Sequence, residues 1–191
     1  MKDAFRNGDD IHAVTASQVF GVPLSEVTAT MRRHAKAVNF GIVYGISAFS
    51  LSDDINVSVM EAKRYIESYL ERFSGVQAYM KDIVELAKKQ GYVTTLLGRR
   101  RNLPELYSSN FNLRSFGERA ALNTPIQGSA ADIIKLAMVA VHNRLKAEKL
   151  EARLLLQVHD ELIVECPESE SGQVKEILRD EMESVYPLDP R

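Results

Sequence analysis

Apolar and polar positions alternate along most of this chain with the period of a helix, broken at intervals by Gly and Pro, with three short stretches that read as strands. Ser25 is placed to cap a short turn, and Thr28 or Thr30 to open a helix running to about Tyr44 and ending at Gly45. Ser58 to Glu61 fits a capping box ahead of Tyr65, Ile66, Tyr69, Leu70 and Phe73 at helical spacing, with Gly75 as the stop. A second amphipathic helix runs from about Val76 to Gln90 and stops at Gly91; Tyr92 to Leu97 reads as a strand that turns at Gly98. A helix from about Asn112 is expected to break at Pro125 and a longer one to follow from about Gln127 to Lys149, burying Ile133, Leu136, Ala137, Ala140 and Val141. Arg153–Val158 and Glu161–Cys166 read as a tight hairpin turning at His159-Asp160 and buried on both sides, and Ser169 or Ser171 opens a last helix towards Val185. The expected class is α+β, mostly α.

Composition excludes some classes. With 191 residues, 45% hydrophobic and 26% charged, the chain is ordinary for a globular protein of one or two domains. No apolar run approaches the roughly 20 residues that span a bilayer, and the amino terminus lacks the apolar stretch of a secretion signal. The expectation is a cytoplasmic protein with no membrane partner. The single Cys166 excludes an intrachain disulfide and reads as a buried structural thiol. The net charge of -2 hides a split: residues 160–191 hold ten acidic and three basic side chains, net -7, leaving +5 for the rest. That split is compatible with phosphate and metal bound at different places, and also with ordinary solvated surface.

Three strings carry candidate chemistry. In Arg32-Arg33-His34-Ala35-Lys36-Ala37-Val38-Asn39-Phe40-Gly41-Ile42-Val43-Tyr44-Gly45, each four-residue step turns a helix by about 400°, so Arg32, Lys36, Phe40 and Tyr44 share one face. Two cations followed by two aromatics suit a ligand with a polyphosphate at one end and a flat base at the other. The competing reading packs Phe40 and Tyr44 into a core and leaves the cations in water. Gly41 and Gly45 weigh for a ligand, because glycine costs a helix about 1 kcal/mol and suggests close approach by something else.

Gln157-Val158-His159-Asp160-Glu161 puts two carboxylates and an imidazole at the tip of an apolar hairpin. Hard oxygen ligands on a hairpin suit Mg²⁺, which takes one or two protein carboxylates and completes its shell with phosphate and water; a turn-stabilising Asp160 and a solvated Glu161 fit the same residues. In the string from Glu118 to Asp132, Arg119, Asn123 and Gln127 recur every four residues, either as capping around a proline break or as a ridge reaching minor-groove acceptors, which report shape rather than sequence. The basic Arg99-Arg100-Arg101 reads as a phosphate contact.

In order and spacing, the three strings resemble motif B, the glutamine-helix motif and motif C of family A DNA polymerases, the bacterial DNA polymerase I group. The resemblance covers nearly the whole chain. It implies helical fingers over mainly residues 1–110 and, over 111–191, part of a catalytic palm: a long helix, a truncated antiparallel sheet with the motif C hairpin, and a C-terminal helix. It implies that His12, Arg32 and Lys36 grip a deoxynucleoside triphosphate, that Phe40 and Tyr44 lie near the nascent base pair, and that Lys36 is a proton donor to leaving pyrophosphate. Asp160 would hold Mg²⁺, one of two ions in the intact enzyme, with Glu161 supporting the site. Gly45, Arg119, Asn123, Gln127 and His159 would contact primer-template DNA.

One family element is missing from these 191 residues: motif A, the Asp-Tyr-Ser-Gln-Ile-Glu-Leu-Arg string with the other catalytic aspartate. Asp3, Asp9 and Asp10 lie after that point in the family pattern. The end at Tyr186–Arg191 falls where the family enters another palm strand. The expectation is therefore an excised fragment, inactive by itself, with sheet edges that favour self-association. Two rivals are a single-subunit RNA polymerase fragment, a poorer match at Phe40 and Glu161, and a non-catalytic helical nucleic-acid-binding module that needs no metal.

Overall fold

A computed structural model describes residues 2–188; Asp189, Pro190 and Arg191, where the sequence reading places the approach to a further strand, lie outside the described residues, as does Met1. The described elements are α1 (Lys2–Arg6), α2 (Ile11–Phe20), α3 (Ala29–Tyr44), α4 (Ala48–Ile55), α5 (Val59–Arg72), α6 (Ser74–Gln90), β1 (Tyr92–Thr94), β2 (Arg100–Asn102), α7 (Phe111–Ala147), β3 (Arg153–Val158), β4 (Glu161–Glu165) and α8 (Ser171–Ser184). The mostly helical α+β expectation holds, with two small antiparallel sheets. The chain divides into two compact units: residues up to 94 with 100–125, and residues 95–99 with 126 onward.

In the first unit, the Thr28 hydroxyl accepts from the Met31 N–H at 3.2 Å and starts α3. The helix closes at Gly45, whose φ of 68° is the left-handed region that glycine enters without penalty. There the Ile46 N–H donates to the Gly41 carbonyl at 2.8 Å and the Gly45 N–H to Ile42 at 3.0 Å, so two of the helix's last four carbonyls are satisfied. The Ile46 side chain folds back onto Gly41, where a Cβ would lie 2.5 Å from Ile46 Cγ2; at Gly45 it would lie 3.0 Å from Arg119 Cγ and 3.3 Å from Leu122 Cδ1. The close approach that the two glycines announce is thus made by the protein itself.

Behind α3, Val38 and Ile42 join Leu51, Ile55, Ala62 and Tyr69 in one buried cluster, and burying a side chain of this size stabilises by about 2 kcal/mol. A second cluster gathers Ala87 of α6, Val93 of β1, Leu103, Leu106, and Ala120 and Ala121 of α7.

Local signals differ from their sequence readings at several points. The turn at Leu24–Glu26 forms, with Pro23 rather than Ser25 at its start and no side-chain cap. Ser58 caps α5 through the Glu61 N–H at 3.2 Å, while the Glu61 carboxylate accepts from the Tyr65 hydroxyl at 2.8 Å instead of reaching back. The break after α5 falls at Phe73, with Gly75 inside the first turn of α6. The strand of the first hairpin ends at Thr94, and Leu96 and Leu97 belong to its turn.

Pro125 does not interrupt α7, which continues through it for 37 residues. A proline removes one ladder bond and crowds one carbonyl, a local cost that neighbouring turns and packing outweigh. The compact units nevertheless part at this residue.

In the second unit, β3 and β4 pair from Arg153↔Glu165 to Val158↔Glu161, with a bulge at Leu155. Leu162, Val164 and Cys166 pack on a cluster of Val141, Leu145, Ala152, Val174 and Ile177. The other side of the hairpin is open: Leu155, Leu156, Val158 and Ile163 are 40–54% exposed, against the expectation of burial on both sides. One layer of helices covers one face of a two-stranded sheet, and an apolar run does not say how many layers it meets. Cys166 is accordingly half-buried. The buried face of α7 here is Ile134, Ala137, Val141 and Leu145, with Leu136 turned outward at 39% exposure.

Two glycines separate packing from propensity. Gly45→Ala is expected to destabilise the first unit by about 1–2 kcal/mol through its positive φ, and Gly75→Ala, with nothing within 4 Å of its Cβ position, to stabilise it by up to about 1 kcal/mol. Urea unfolding midpoints of the two variants test the opposite signs.

Candidate active site

The first unit brings four of the expected residues onto one surface. Asp10 caps α2 with Oδ1, accepting from the His12 N–H at 2.9 Å and the Ala13 N–H at 3.2 Å. Its Oδ2 accepts from Arg32 Nε of α3 at 2.6 Å. One carboxylate thereby joins the start of α2, which carries His12, to the N-terminal half of α3, and the Arg32 guanidinium holds it below the ordinary aspartate range. The His12 ring lies 5.8 Å from that of Phe40, tilted by 39°, and Lys36 Nζ lies 5.8 Å from the Phe40 ring centre.

Asn39 completes the group: its Nδ2 contacts His12 Nδ1 at 3.0 Å and donates to the buried Thr15 hydroxyl at 3.1 Å. Burial pushes the His12 pKa down, and the Arg32 and Lys36 charges add to this against the opposing pull of Asp10. At neutral pH the surface therefore offers two cations, a neutral imidazole and an exposed ring.

Phe40 and Tyr44 are 49% and 44% exposed, so they stand outside the core that Val38 and Ile42 enter from the same helix. The reading that packs these two aromatics into a core does not hold. Both aromatics, with Gly41, Gly45, Ser47 and Arg119, line a cleft within this unit. Arg119 donates to the Ser115 hydroxyl at 2.8 Å. Asn123 is half-buried, and its Oδ1 is buried with no hydrogen-bond partner among the described residues. Gln127 is exposed and lies in the second unit.

In the second unit, His159 turns the hairpin at φ 54°, an uncommon conformation for a residue with a side chain. Gln157 Nε2 donates to the His159 carbonyl at 2.5 Å, bracing the turn. Asp160 and Glu161 stand exposed at the tip. Among the described residues, His, Cys, Asp and Glu form no cluster of three fit to hold a metal by themselves. An exposed aspartate on a braced turn does fit an ion such as Mg²⁺, which needs only one or two protein carboxylates.

Arg99, Arg100 and Arg101, read as phosphate contacts, have internal partners. Arg99 Nε and Nη2 both reach Asp132 Oδ1 at 2.7 Å, Arg100 lies 4.5 Å over the Tyr92 ring, and Arg101 donates to the Thr124 hydroxyl at 3.1 Å. Asp132 is 3% exposed and also accepts from the Thr95 hydroxyl at 2.7 Å, while the Leu96 N–H donates to Ser129 Oγ at 2.9 Å. Thr95 first and Arg99 second hold its carboxyl below the ordinary range. Sequence reasoning missed Asp10, Asn39 and Asp132 as organisers. Asp10 carried a signal, an N-cap residue type directly ahead of the mixed apolar and polar segment Ile11–Phe20; Asn39 and Asp132 act on partners distant in sequence and carried none.

The family model described as DNA polymerase family A matches residues 1–189. The chain belongs to that family. It is 57% identical over 188 residues to DNA polymerase I of Bacillus caldotenax and 51% identical over 187 residues to that of Mycobacterium tuberculosis (strain ATCC 25618 / H37Rv), in each case over 98% of this chain and 21% of the relative's. It superposes with a TM-score of 0.93, at 50% identity, on the POL domain of Pol1 from M. smegmatis solved in complex with DNA primer-template and dNTP, over 98% of this chain and 33% of that one. The chain thus spans 21% of the length of these curated relatives.

Burial lowers the pKa of His34 as well as His12. The unfolded chain takes up these protons near pH 6.5 and the folded chain only at lower pH, so the stabilisation is complete above about pH 6.5 and lost as pH falls through the folded values. Asp10, Asp132 and Glu148, with lowered pKa values, lose theirs only in stronger acid. Urea midpoints are expected to fall between pH 7 and 5, and less steeply in a His12→Gln/His34→Gln variant.

Proposed function

We propose that this chain supplies nucleotide-gripping fingers, mainly residues 1–110, and part of a catalytic palm, residues 111–191, to a DNA-directed DNA polymerase of the bacterial cytoplasm that adds deoxynucleotides to a primer 3′-hydroxyl. The observation that carries this reading is the surface shared by His12, Arg32, Lys36 and Phe40, which gathers a polyanion grip beside an exposed ring. Its partners are primer-template DNA and deoxynucleoside triphosphates.

In this reading Arg32, Lys36 and His12 bind the triphosphate, and Phe40 and Tyr44 flank the base it carries. Arg32 exchanges its Asp10 contact for phosphate. Lys36 gives a proton to the leaving pyrophosphate. Gly45, Arg119, Asn123 and Gln127 follow the duplex through acceptors common to all base pairs, and His159 lies by the primer terminus. Asp160 holds a divalent ion, Mg²⁺ by donor chemistry, with Glu161 supporting it. Bound metal, two ions in the intact enzyme, supplies charge stabilisation for the entering and leaving oxygens. The 191 residues contain one of the family's two catalytic aspartates, so the chain by itself is expected to bind nucleotide and not to extend a primer.

The decisive test replaces the matching stretch of Bacillus subtilis DNA polymerase I, 57% identical over 187 residues, with residues 2–188. The chimera is expected to extend a primer, and Lys36→Ala or Asp160→Ala to slow it by about a hundredfold or more. Undiminished extension by the Asp160→Ala chimera would sink the reading. For the chain alone, dATP affinity should fall as salt rises from 50 to 200 mM, because screening weakens the attraction between phosphate and the cations.

The open hairpin face has its own consequence. Leu155, Leu156, Val158 and Ile163 favour self-association. Light scattering is expected to show mass rising with concentration, and less so in Leu155→Lys/Ile163→Lys; a constant monomer mass in the parent chain would refute it.

A further inference from the structure

We propose that Asn39 is a positioning residue that holds His12 as the tautomer protonated on Nε2, so that the ring presents a fixed N–H donor to a bound phosphate. The phosphate half of this inference rests on the triphosphate reading; the tautomer half does not.

The geometry runs from the buried side outward. Thr15, fully buried on α2, must place its hydroxyl within the protein, and Asn39 of α3 meets it with Nδ2 at 3.1 Å and Oδ1 at 3.3 Å. This fixes the amide plane and turns the second Nδ2 hydrogen to His12 Nδ1 at 3.0 Å. An amide nitrogen donates and does not accept, so the imidazole nitrogen facing it must carry the lone pair. A neutral imidazole with Nδ1 unprotonated carries its proton on Nε2. The Phe40 ring at 5.8 Å limits the swing of the imidazole.

The charges around His12 agree. Arg32 and Lys36 disfavour a second proton, Asp10 favours one, and burial tips the balance to the neutral ring. A protonated ring would set Nδ1–H against the amide N–H and break the link to Asn39. A neutral donor also suits a phosphate that already has two cations: it adds direction without adding charge.

The experiment uses the 191-residue chain labelled with ¹⁵N and long-range ¹H–¹⁵N correlation of its histidine rings at pH 8, with His12 identified by the signals lost in His12→Gln. The expected pattern has Nδ1 as the unprotonated nitrogen and Nε2 as the protonated one. Asn39→Asp, nearly the same shape but only an acceptor at that position, is expected to move the proton to Nδ1 and to raise the proton affinity of His12 by about tenfold. A purely structural Asn39 would leave the tautomer unchanged in that variant, and either that result or an Nδ1-protonated ring in the parent overturns the proposal. Added dATP should shift the His12 Nε2 signals, and Asn39→Leu, which adds no charge, should weaken dATP binding by about tenfold. If the tautomer is as stated but dATP moves no His12 signal, the phosphate role falls and the positioning of His12 stands.

Discussion

The constraint on which the first unit depends is that α3 serves two surfaces at once. Its Val38 and Ile42 enter the core while Phe40 and Tyr44, on the same helix, remain about half exposed. A helix can do this only if its ends are held, because 16 residues have little stability of their own in water. The C-terminal hold is Ile46 folded on Gly41, with Gly45 turning the chain in the left-handed region. The N-terminal hold is the Thr28 cap together with the Asp10–Arg32 pair. Between them the helix presents its cationic and aromatic face without needing a ligand to order it.

Charges in both units are placed by other charges and amides before any ligand arrives. Asp10 restrains Arg32 in the first unit, and Asp132 gathers Thr95 and Arg99 in the second. The two carboxylates differ in what can happen next. Asp10 and Arg32 are each more than 40% exposed, so their pair is weak enough for a phosphate to replace. Asp132 is buried, and removing Arg99 would leave its charge with the Thr95 hydroxyl but without a cation bonded to it. The first pair can therefore be part of a binding cycle, whereas the second is architecture. Arg99 of the three-arginine run is thus tied to a buried carboxylate, while the candidate grip on α2 and α3 is made of exposed or half-buried groups.

The placement of the candidate site residues was legible in the sequence because it depends on spacing along single elements. Arg32, Lys36, Phe40 and Tyr44 needed only the helical period to share a face, and the two-residue turn at His159-Asp160 needed only the break between two apolar runs. The family followed from the order of those strings. Helix ends marked by Thr28, Gly45 and Gly91 were equally local, since capping and positive φ involve neighbours in the chain.

Tertiary structure decided what the sequence had left open or misjudged. Which atoms fill the space above Gly45, whether Pro125 breaks its helix, how many faces of the β3–β4 hairpin are covered, and which cations are already engaged all depend on partners distant along the chain. His12 shows the division most plainly. Its residue type and its place ahead of α3 could be read from the sequence, but its tautomer and charge depend also on Asn39 and Arg32 of α3, and only folding brings those two groups to the ring and to its chain neighbours Asp10 and Thr15.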